Sequence, residues 1–252
     1  MKIISYNING IRSGIRKGLV NWISEENPDV ICLQEIKANT DQFDVTLFEH
    51  LGYHCYWLPA QKKGYSGVAI LSKKIPHSVS FGCGDEAIDS EGRIIKICFS
   101  ELCLFSCYFP SGSSGEVRQA FKMHFLNVFL KFITNSNLGK NIIISGDFNI
   151  CHKEIDIHNP KANKNTSGFL PEERAWMDDF LNLGFVDSFR YKNKNPNNYS
   201  WWSYRANSRL NNKGWRIDYH MVSDNLKDRI IDAAILDDVC HSDHCPISLL
   251  IK

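Results

Sequence analysis

The stretch Ile142-Ile143-Ile144-Ser145-Gly146-Asp147-Phe148-Asn149 decides how this chain is read. Three consecutive β-branched apolar residues predict a strand buried on both faces. Gly146 predicts the point where the backbone leaves the sheet. Side chains two apart on an extended segment point the same way, so Asp147 and Asn149 are expected side by side at the carboxyl end of that strand. Open α/β sheets place ligands there. An acid that can take a proton, beside an amide that can orient a water, suits hydrolysis. The plainer alternative for the pair is a strand end closed by an Asx turn.

Outward from this stretch the same kind of segment recurs. Strands are expected at Lys2–Asn7, Val30–Glu35, His54–Leu58, Gly67–Ser72, Ile94–Phe99, Cys103–Phe109, Asn141–Asp147, Tyr199–Ser203, Arg216–Val222 and Ile247–Ile251. Helices are expected between them. Lys17–Glu26 stops before Asn27-Pro28, Glu116–Thr134 carries an apolar stripe at helical spacing, and Pro171–Leu183 opens on Pro171 with Glu172 and Glu173 in its first turn. Intermingled strands and helices, with hairpin-like neighbours such as Ile94–Phe99 and Cys103–Phe109, predict mixed sheets in an α/β fold.

Composition sets the limits. The chain has 252 residues, 43% hydrophobic and 23% charged, which supports a large core. No low-complexity linker or repeat divides it, so residues 1–252 are expected to form one catalytic domain. A net charge of +1 excludes a global field that drives the chain onto nucleic acid, so phosphate binding has to come from local basic patches. The chain opens directly on a strand-like run, and no apolar run approaches the roughly 20 residues of a membrane span. Nine cysteines without a CxxC pair predict free, mostly buried thiols and a reducing, cytoplasmic setting. Cys32, Cys98, Cys103 and Cys107 are read as small core residues.

Polar residues gather at the ends of the apolar runs. Asn7 and Asn9 end the first, Gln34 and Glu35 the second, Tyr108 another, and Asp147 and Asn149 the stretch quoted above. Asp218 lies in Trp215-Arg216-Ile217-Asp218-Tyr219, and Asp243 and His244 immediately precede the last strand. Several such ends predict one cluster at one edge of the sheets. Its donors are hard oxygens, with neither HExxH nor a cysteine group, which argues against zinc. Carboxylates with amides suit Mg²⁺, with Mn²⁺ as substitute, one or two ions. Such an ion lowers the pKa of bound water and neutralises charge on phosphoryl oxygens. His244 needs a partner to fix its tautomer, and Asp218 is the candidate. Taken singly, His244 reads as a structural histidine and Asp218 as half of a surface ion pair.

The motifs resemble the exonuclease III type of apurinic/apyrimidinic (AP) endonuclease, within the endonuclease/exonuclease/phosphatase superfamily. The residues that carry the resemblance run from Tyr6-Asn7-Ile8-Asn9-Gly10 through Leu33-Gln34-Glu35, Gly64-Tyr65-Ser66-Gly67, Tyr108-Phe109-Pro110, Gly146-Asp147-Phe148-Asn149, Asn159-Pro160-Lys161-Ala162-Asn163-Lys164, Gly168-Phe169, Glu173-Arg174 and Gly214-Trp215-Arg216-Ile217-Asp218-Tyr219 to Ser242-Asp243-His244. It implies a four-layer α/β sandwich of the deoxyribonuclease I kind: two mixed sheets face to face, flanked by helices. Glu35 then looks like the main metal ligand, supported by Asn7, Asp243, Asp147 and Asn149. Asp147 looks like the residue that orients the attacking water, helped by Asn149. Tyr108 looks like a phosphate or leaving-oxygen contact, and His244 like a phosphate contact oriented by Asp218. The implied substrate is double-stranded DNA with abasic sites or blocked 3′ ends. Arg12, Lys37, Tyr65, Asn163, Lys164, Phe169, Trp201, Arg205 and Trp215 are the DNA-contact candidates. Trp201 and Trp215 look like walls of a pocket for the abasic sugar, with Phe169 nearby.

Other loop cations, Lys62, Lys63, Lys161, Arg209, Lys213 and Arg216, belong to the same basic set. Ser111 departs from the Asn or Gln that many relatives carry there. Ser114 and Asn9 depart from the basic residue and the Asp that some carry, which bears on DNA grip and product release and on metal or phosphate contacts. The expected activity is Mg²⁺-dependent cleavage 5′ to abasic sites giving a 3′-hydroxyl, with 3′-phosphodiesterase or 3′→5′ exonuclease activity. The competing readings are another phosphodiesterase of the superfamily, acting on RNA or phosphoinositides, and a non-catalytic nucleic-acid-binding member. Nothing in the motif set requires a dimer, so a monomer is expected.

Overall fold

A computed structural model describes residues 1–134 and 141–252. Its strands are β1 (Lys2–Asn7), β2 (Val30–Gln34), β3 (His54–Leu58), β4 (Val68–Ser72), β5 (Ser78–Phe81), β6 (Ile94–Cys98), β7 (Cys103–Tyr108), β8 (Ile142–Asp147), β9 (Phe185–Asp187), β10 (Asp218–Ser223), β11 (Ile230–Ile235) and β12 (Ile247–Ile251). The helices are α1 (Ile11–Arg16), α2 (Leu19–Glu26), α3 (Thr46–Glu49), α4 (Glu86–Asp89), α5 (Glu116–Ile133), α6 (Pro160–Asn163), α7 (Pro171–Asn182) and α8 (Ser188–Lys192). The strands form two six-stranded sheets, ordered β11-β12-β1-β2-β4-β3 and β5-β6-β7-β8-β10-β9. Each is mixed: β1–β2 and β7–β8 are parallel, and the other pairs are antiparallel.

The sheets lie face to face, with β1 against β8 and β2 against β7. Alternation along each strand sends neighbouring side chains to opposite faces. Ile3, Cys32, Ile70, Leu104 and Ile143 meet between the sheets. Ile4, Ile31 and Ala69 pack outward on Leu19, Ile23 and Phe48 of α2 and α3. Phe105 and Ile144 pack outward on Phe125, Phe129, Trp176 and Phe180 of α5 and α7. Ile143 and Ile144 therefore face two different cores, which is why this strand reads as an unbroken apolar run. The four-layer α/β sandwich is as expected.

Some local expectations are corrected. The strand expected at Asn141–Asp147 is present as β8, but the backbone does not leave the sheet at Gly146, which pairs with Cys107 and Tyr219. Lys17 and Gly18 lie outside α2, because Gly18 adopts a left-handed conformation that breaks the chain between α1 and α2. Tyr199–Ser203 is not a strand, and Trp201 makes only isolated bridges to Trp215 and His244. Trp215 and Arg216 precede β10 rather than belong to it. The edge strands β5, β9 and β11 escaped the periodicity reading because they are short or half-exposed. Cys98 and Cys103 face each other across the β6–β7 hairpin and are joined by a disulfide, so they are not free thiols. Spacing alone does not give a hairpin's register, and register makes this pair. The remaining seven cysteines are free, with Cys32, Cys107, Cys151 and Cys245 buried. Among the described residues no helix is long and apolar enough to cross a membrane.

Candidate active site

Strand register builds the site. Asn7 lies opposite Gln34 in the β1–β2 pair, so Glu35 follows at the rim. Asp147 lies opposite Tyr108 on one side and Asp218 on the other. Both sheets thus deliver their polar residues to the same edge. Beyond that edge the backbone is forced into left-handed conformations at Asn9, Glu35, Lys37 and Asn149, with φ of 46°, 52°, 49° and 53°. Such conformations cost energy for residues with a Cβ and tend to cluster at functional sites.

The side chains form one hydrogen-bonded network across both sheets. The Asn7 amide donates to Glu35 Oε1 at 2.8 Å and to Asp147 Oδ2 at 2.9 Å. Asn149 donates its backbone N–H to Asp147 Oδ1 at 2.8 Å and its amide to Phe109 O at 2.9 Å. His244 Nδ1 lies 2.9 Å from Asp218 Oδ2, and its Nε2 lies 3.8 Å from Asp147 Oδ2. The partnership expected of Asp218 and His244 is present. Ser200 donates to the same Asp218 oxygen at 2.6 Å. Lys37 Nζ pairs with Glu35 Oε2 at 2.6 Å and donates to Asn9 Oδ1 at 2.6 Å. Asp243 accepts from Asn9 at 2.9 Å and from the Trp201 indole at 3.0 Å.

Burial and close charges shift the protonation of several groups at this rim. Burial and the neighbouring Asp218 push the Asp147 carboxyl up to about 8. Burial opposes charge on His244, but the Asp218 carboxylate outweighs it and pushes the imidazole up to about 10. His244 is therefore a cation at neutral pH, with Nε2 free to donate. Burial also opposes charge on Glu35, yet the Lys37 ammonium beside it holds the carboxyl below the usual range. Burial and the Glu35 carboxylate push the Tyr108 phenol well above its ordinary value, so it stays protonated and is a donor.

The donor set fits a hard cation. Ligand atoms of Glu35, Asp147 and His244 lie within 4.8 Å of one another, and with His244 protonated the two carboxylates are the ligands this group offers. Asp218 Oδ1 is buried without a hydrogen-bond partner, and after burial itself the neighbouring Asp218 is the next cause of the raised Asp147 carboxyl. Glu35 and Asp147 supply carboxylate oxygens there. Asn7 ties the two together, Asn149 is turned onto Phe109, and Asp243 stands outside the three-residue group. The carboxylates of this rim could hold a metal.

Of the residues expected on DNA, Trp201 and Trp215 stack edge to face at 6.0 Å, and Trp201 lies 6.4 Å from the His244 ring. Both pack on Phe169, which is buried beside them as expected. Asn163 turns its amide back onto His158 O and Asn159 O at 3.0 and 3.1 Å. Arg12, Lys164 and Arg205 are exposed, on α1, after α6 and in the 205–207 turn respectively. Tyr65 lies under the Lys62 ammonium and accepts from Arg93 at 3.3 Å. Lys37 is committed to Glu35 and Asn9. Two of the wider basic set are corrected. Arg216 is buried between Asp156 and Asp187 at 2.8 and 2.6 Å, and Arg209 clamps the carbonyls of Asp237, Val239 and Ser242. Their partners are distant in sequence, so motif reading saw only two cations.

Two supporting residues near the rim escaped the sequence reading. Arg93 is buried, lies 4.7 Å over the Tyr108 ring and donates to Tyr108 O at 2.8 Å. Ser200 has no signal other than its place before Trp201. Both hold an expected site residue from behind.

Comparison with known proteins agrees with this geometry. Residues 4–244 match the model of the Endonuclease/Exonuclease/phosphatase family. The chain is 45% identical to an exodeoxyribonuclease of Bacillus subtilis, covering all of both chains. It is 38% identical to the DNA repair nuclease APEX1 of Danio rerio, covering all of this chain and 82% of that one. An AP endonuclease from Archaeoglobus fulgidus superposes with a TM-score of 0.91 at 29% identity, over 100% of this chain and 99% of that one. The 3′-5′ exonuclease of Neisseria meningitidis superposes with a TM-score of 0.93 at 26% identity, over all of both chains. Register, network and resemblance converge: the chain belongs to the endonuclease/exonuclease/phosphatase family, in the branch of the exonuclease III type of AP endonuclease.

Proposed function

We propose that residues 1–252 form one catalytic domain that hydrolyses DNA phosphodiesters during repair, cutting 5′ to abasic sites in double-stranded DNA and leaving a 3′-hydroxyl. Cleaning of blocked 3′ ends and 3′→5′ exonuclease action follow from the same chemistry. The observation that carries this reading is the placement of Asp147. One carboxylate is tied through Asn7 to Glu35, held by the Asn149 N–H, and faces the charged His244.

In-line attack on a phosphodiester builds negative charge on the non-bridging and leaving oxygens. Asp147 orients the attacking water and, in its ionised form, takes its proton as the phosphorus–O3′ bond breaks. A pKa raised to about 8 suits a base that works near neutrality. Asn149 fixes its carboxylate, and the leaving oxygen takes a proton from solvent to give the 3′-hydroxyl. His244, kept charged by Asp218, donates from Nε2 to a phosphate oxygen. Tyr108 donates its phenol proton in a hydrogen bond to the same group. These donors stabilise charge that is larger in the transition state than in the ground state. Mg²⁺ is the cofactor that the oxygen donors of Glu35 and Asp147 would hold, and it would supply further neutralisation of the phosphoryl oxygens. Arg12, Lys164 and Arg205 face the DNA backbone, and the Trp201–Trp215 corner beside His244 admits a sugar that lacks its base. The chain acts as a cytoplasmic monomer.

Support for a DNA substrate over RNA or phosphoinositide comes from the aromatic corner and from the names of the relatives. One solved structure with a TM-score of 0.92, at 27% identity, is that of a Neisseria 3′ phosphatase bound to product DNA hairpin. The test is incision of a duplex carrying a single abasic site, with RNA and phosphoinositide as comparison substrates.

A further inference from the structure

Lys122 lies on the stripe of α5 that faces the core, in line with Phe125, Leu126, Phe129 and Ile133. An apolar residue is the ordinary occupant of such a position. Its side chain is 0% exposed, as is that of Glu173 on α7, and the two pair at 2.6 Å. A buried ion pair contributes little net stability compared with well-packed apolar residues, because desolvation offsets the attraction. What the pair does that apolar residues cannot is bind backbone. Lys122 Nζ donates to the Asn149 carbonyl at 2.9 Å. Glu173 Oε2 accepts the N–H groups of Gly168 and Leu170 at 2.7 and 3.0 Å, on either side of Phe169.

Asn149 is thereby held by its N–H on Asp147 Oδ1, its amide on Phe109 O and Asp147 Oδ2, and its carbonyl on Lys122. Its backbone is left-handed, so it would relax without such restraints. The two loops so held also touch directly. Cys151 donates to Gly168 O at 2.7 Å, and a Cβ at Gly168 would come within 3.1 Å of the Asn149 carbonyl.

We propose that Lys122 is a positioning residue for the hydrolytic reaction, fixing the Asn149 turn that holds Asp147 and locking it to the loop that carries Phe169. The rate-related part rests on the function proposed above; the structural part does not. Misplacing a reacting group by about 1 Å commonly costs on the order of 10²-fold in rate. The ammonium acts through backbone and touches neither water nor phosphate.

The test compares Lys122→Met, Glu173→Gln and the double variant Lys122→Met/Glu173→Gln with the wild type. Thermal melting, kcat and KM on an abasic duplex, and hydrogen exchange across residues 148–151 are measured. Lys122→Met leaves a buried unpaired carboxylate and melts lower; the double variant removes both charges and melts close to the wild type. Both slow kcat by roughly tenfold to a hundredfold with KM within about twofold, and both exchange faster across 148–151. Glu173→Gln leaves the Lys122 ammonium without its counter-ion and melts lower too, but it keeps the donor to Asn149 and keeps kcat within about threefold. A double variant with wild-type kcat and exchange overturns the proposal, because rate would then follow stability alone. Should the double variant not fold, Glu173→Gln decides: a kcat loss there as large as that of Lys122→Met overturns it equally. An abasic duplex left intact by the wild type would count against the proposed function, while the exchange measurement would still judge the role of Lys122.

Discussion

At the scale of single residues, the orientation of His244 is the clearest case of a role made by a partner. An isolated histidine before a last strand is ordinarily structural. Asp218 at 2.9 Å from Nδ1 fixes which nitrogen faces Asp147 and keeps the ring charged. The pairing was legible in sequence as two motif residues in need of one another. Ser200 was not, since a serine hydroxyl carries no pattern, although it holds the same Asp218 oxygen. The Asp218→Asn variant should therefore lose about 10²-fold in kcat. Without the carboxylate the pKa of His244 falls, so the variant should lose further activity as pH rises through neutrality, where the wild-type imidazole stays protonated. A titration of the ring protons by NMR, beside the pH–rate profile, checks this. An unmoved His244 titration would refute the assigned partnership.

At the scale of elements, β8 shows what a local pattern can and cannot convey. Its apolar run was readable, but alternation is not what brings Asp147 and Asn149 to one rim. β8 ends at Asp147, and Asn149 is left-handed with its N–H closed on Asp147 Oδ1 as an Asx turn. The strand was expected to run to Asp147, as it does, but the reason a glycine stands inside it at Gly146 was not readable because it is non-local. A Cβ at Gly146 would stand 1.9 Å from the Cys107 carbonyl on β7. The glycine allows two strands to approach while both still pair. Gly146→Ala should cost more than about 2 kcal/mol, measured by urea unfolding, since the clash is with backbone that cannot turn aside. A variant as stable as the wild type would contradict this close approach. The disulfide between Cys98 and Cys103 and the burial of Arg216 escaped notice for the same reason: each needs a partner set by register or by a distant segment.

At the scale of the whole molecule, the two sheets are joined by buried polar contacts as well as apolar ones. His220 of β10 bonds Ser145 of its own sheet at 2.7 Å and the Ile247 carbonyl of the other at 3.2 Å. Burial pushes its pKa down to about 4 from an ordinary 6.5. The unfolded chain then binds the extra proton first. Stability from a neutral His220 is complete above about pH 6.5 and is lost as pH falls towards about 4, by on the order of 3 kcal/mol. His220→Gln should flatten that part of the curve in urea unfolding between pH 7 and pH 4. An unchanged slope would remove His220 as its cause. The sandwich itself was legible from strand and helix periodicity together with the family motifs. The long-range polar ties were not, because the residues that meet are far apart in sequence.

All three scales converge on one rim, where Asp147 is held between Glu35 and His244 beside an aromatic corner. The most direct measurement is incision of a duplex with one abasic site, in Mg²⁺ and in EDTA, with both new ends mapped. The account predicts a single cut 5′ to the lesion, a 3′-hydroxyl, no cut in EDTA, and at least a 10²-fold loss for Asp147→Asn. An abasic duplex left intact in Mg²⁺ while RNA or phosphoinositide is hydrolysed, or an Asp147→Asn variant that cuts at the wild-type rate, would contradict it.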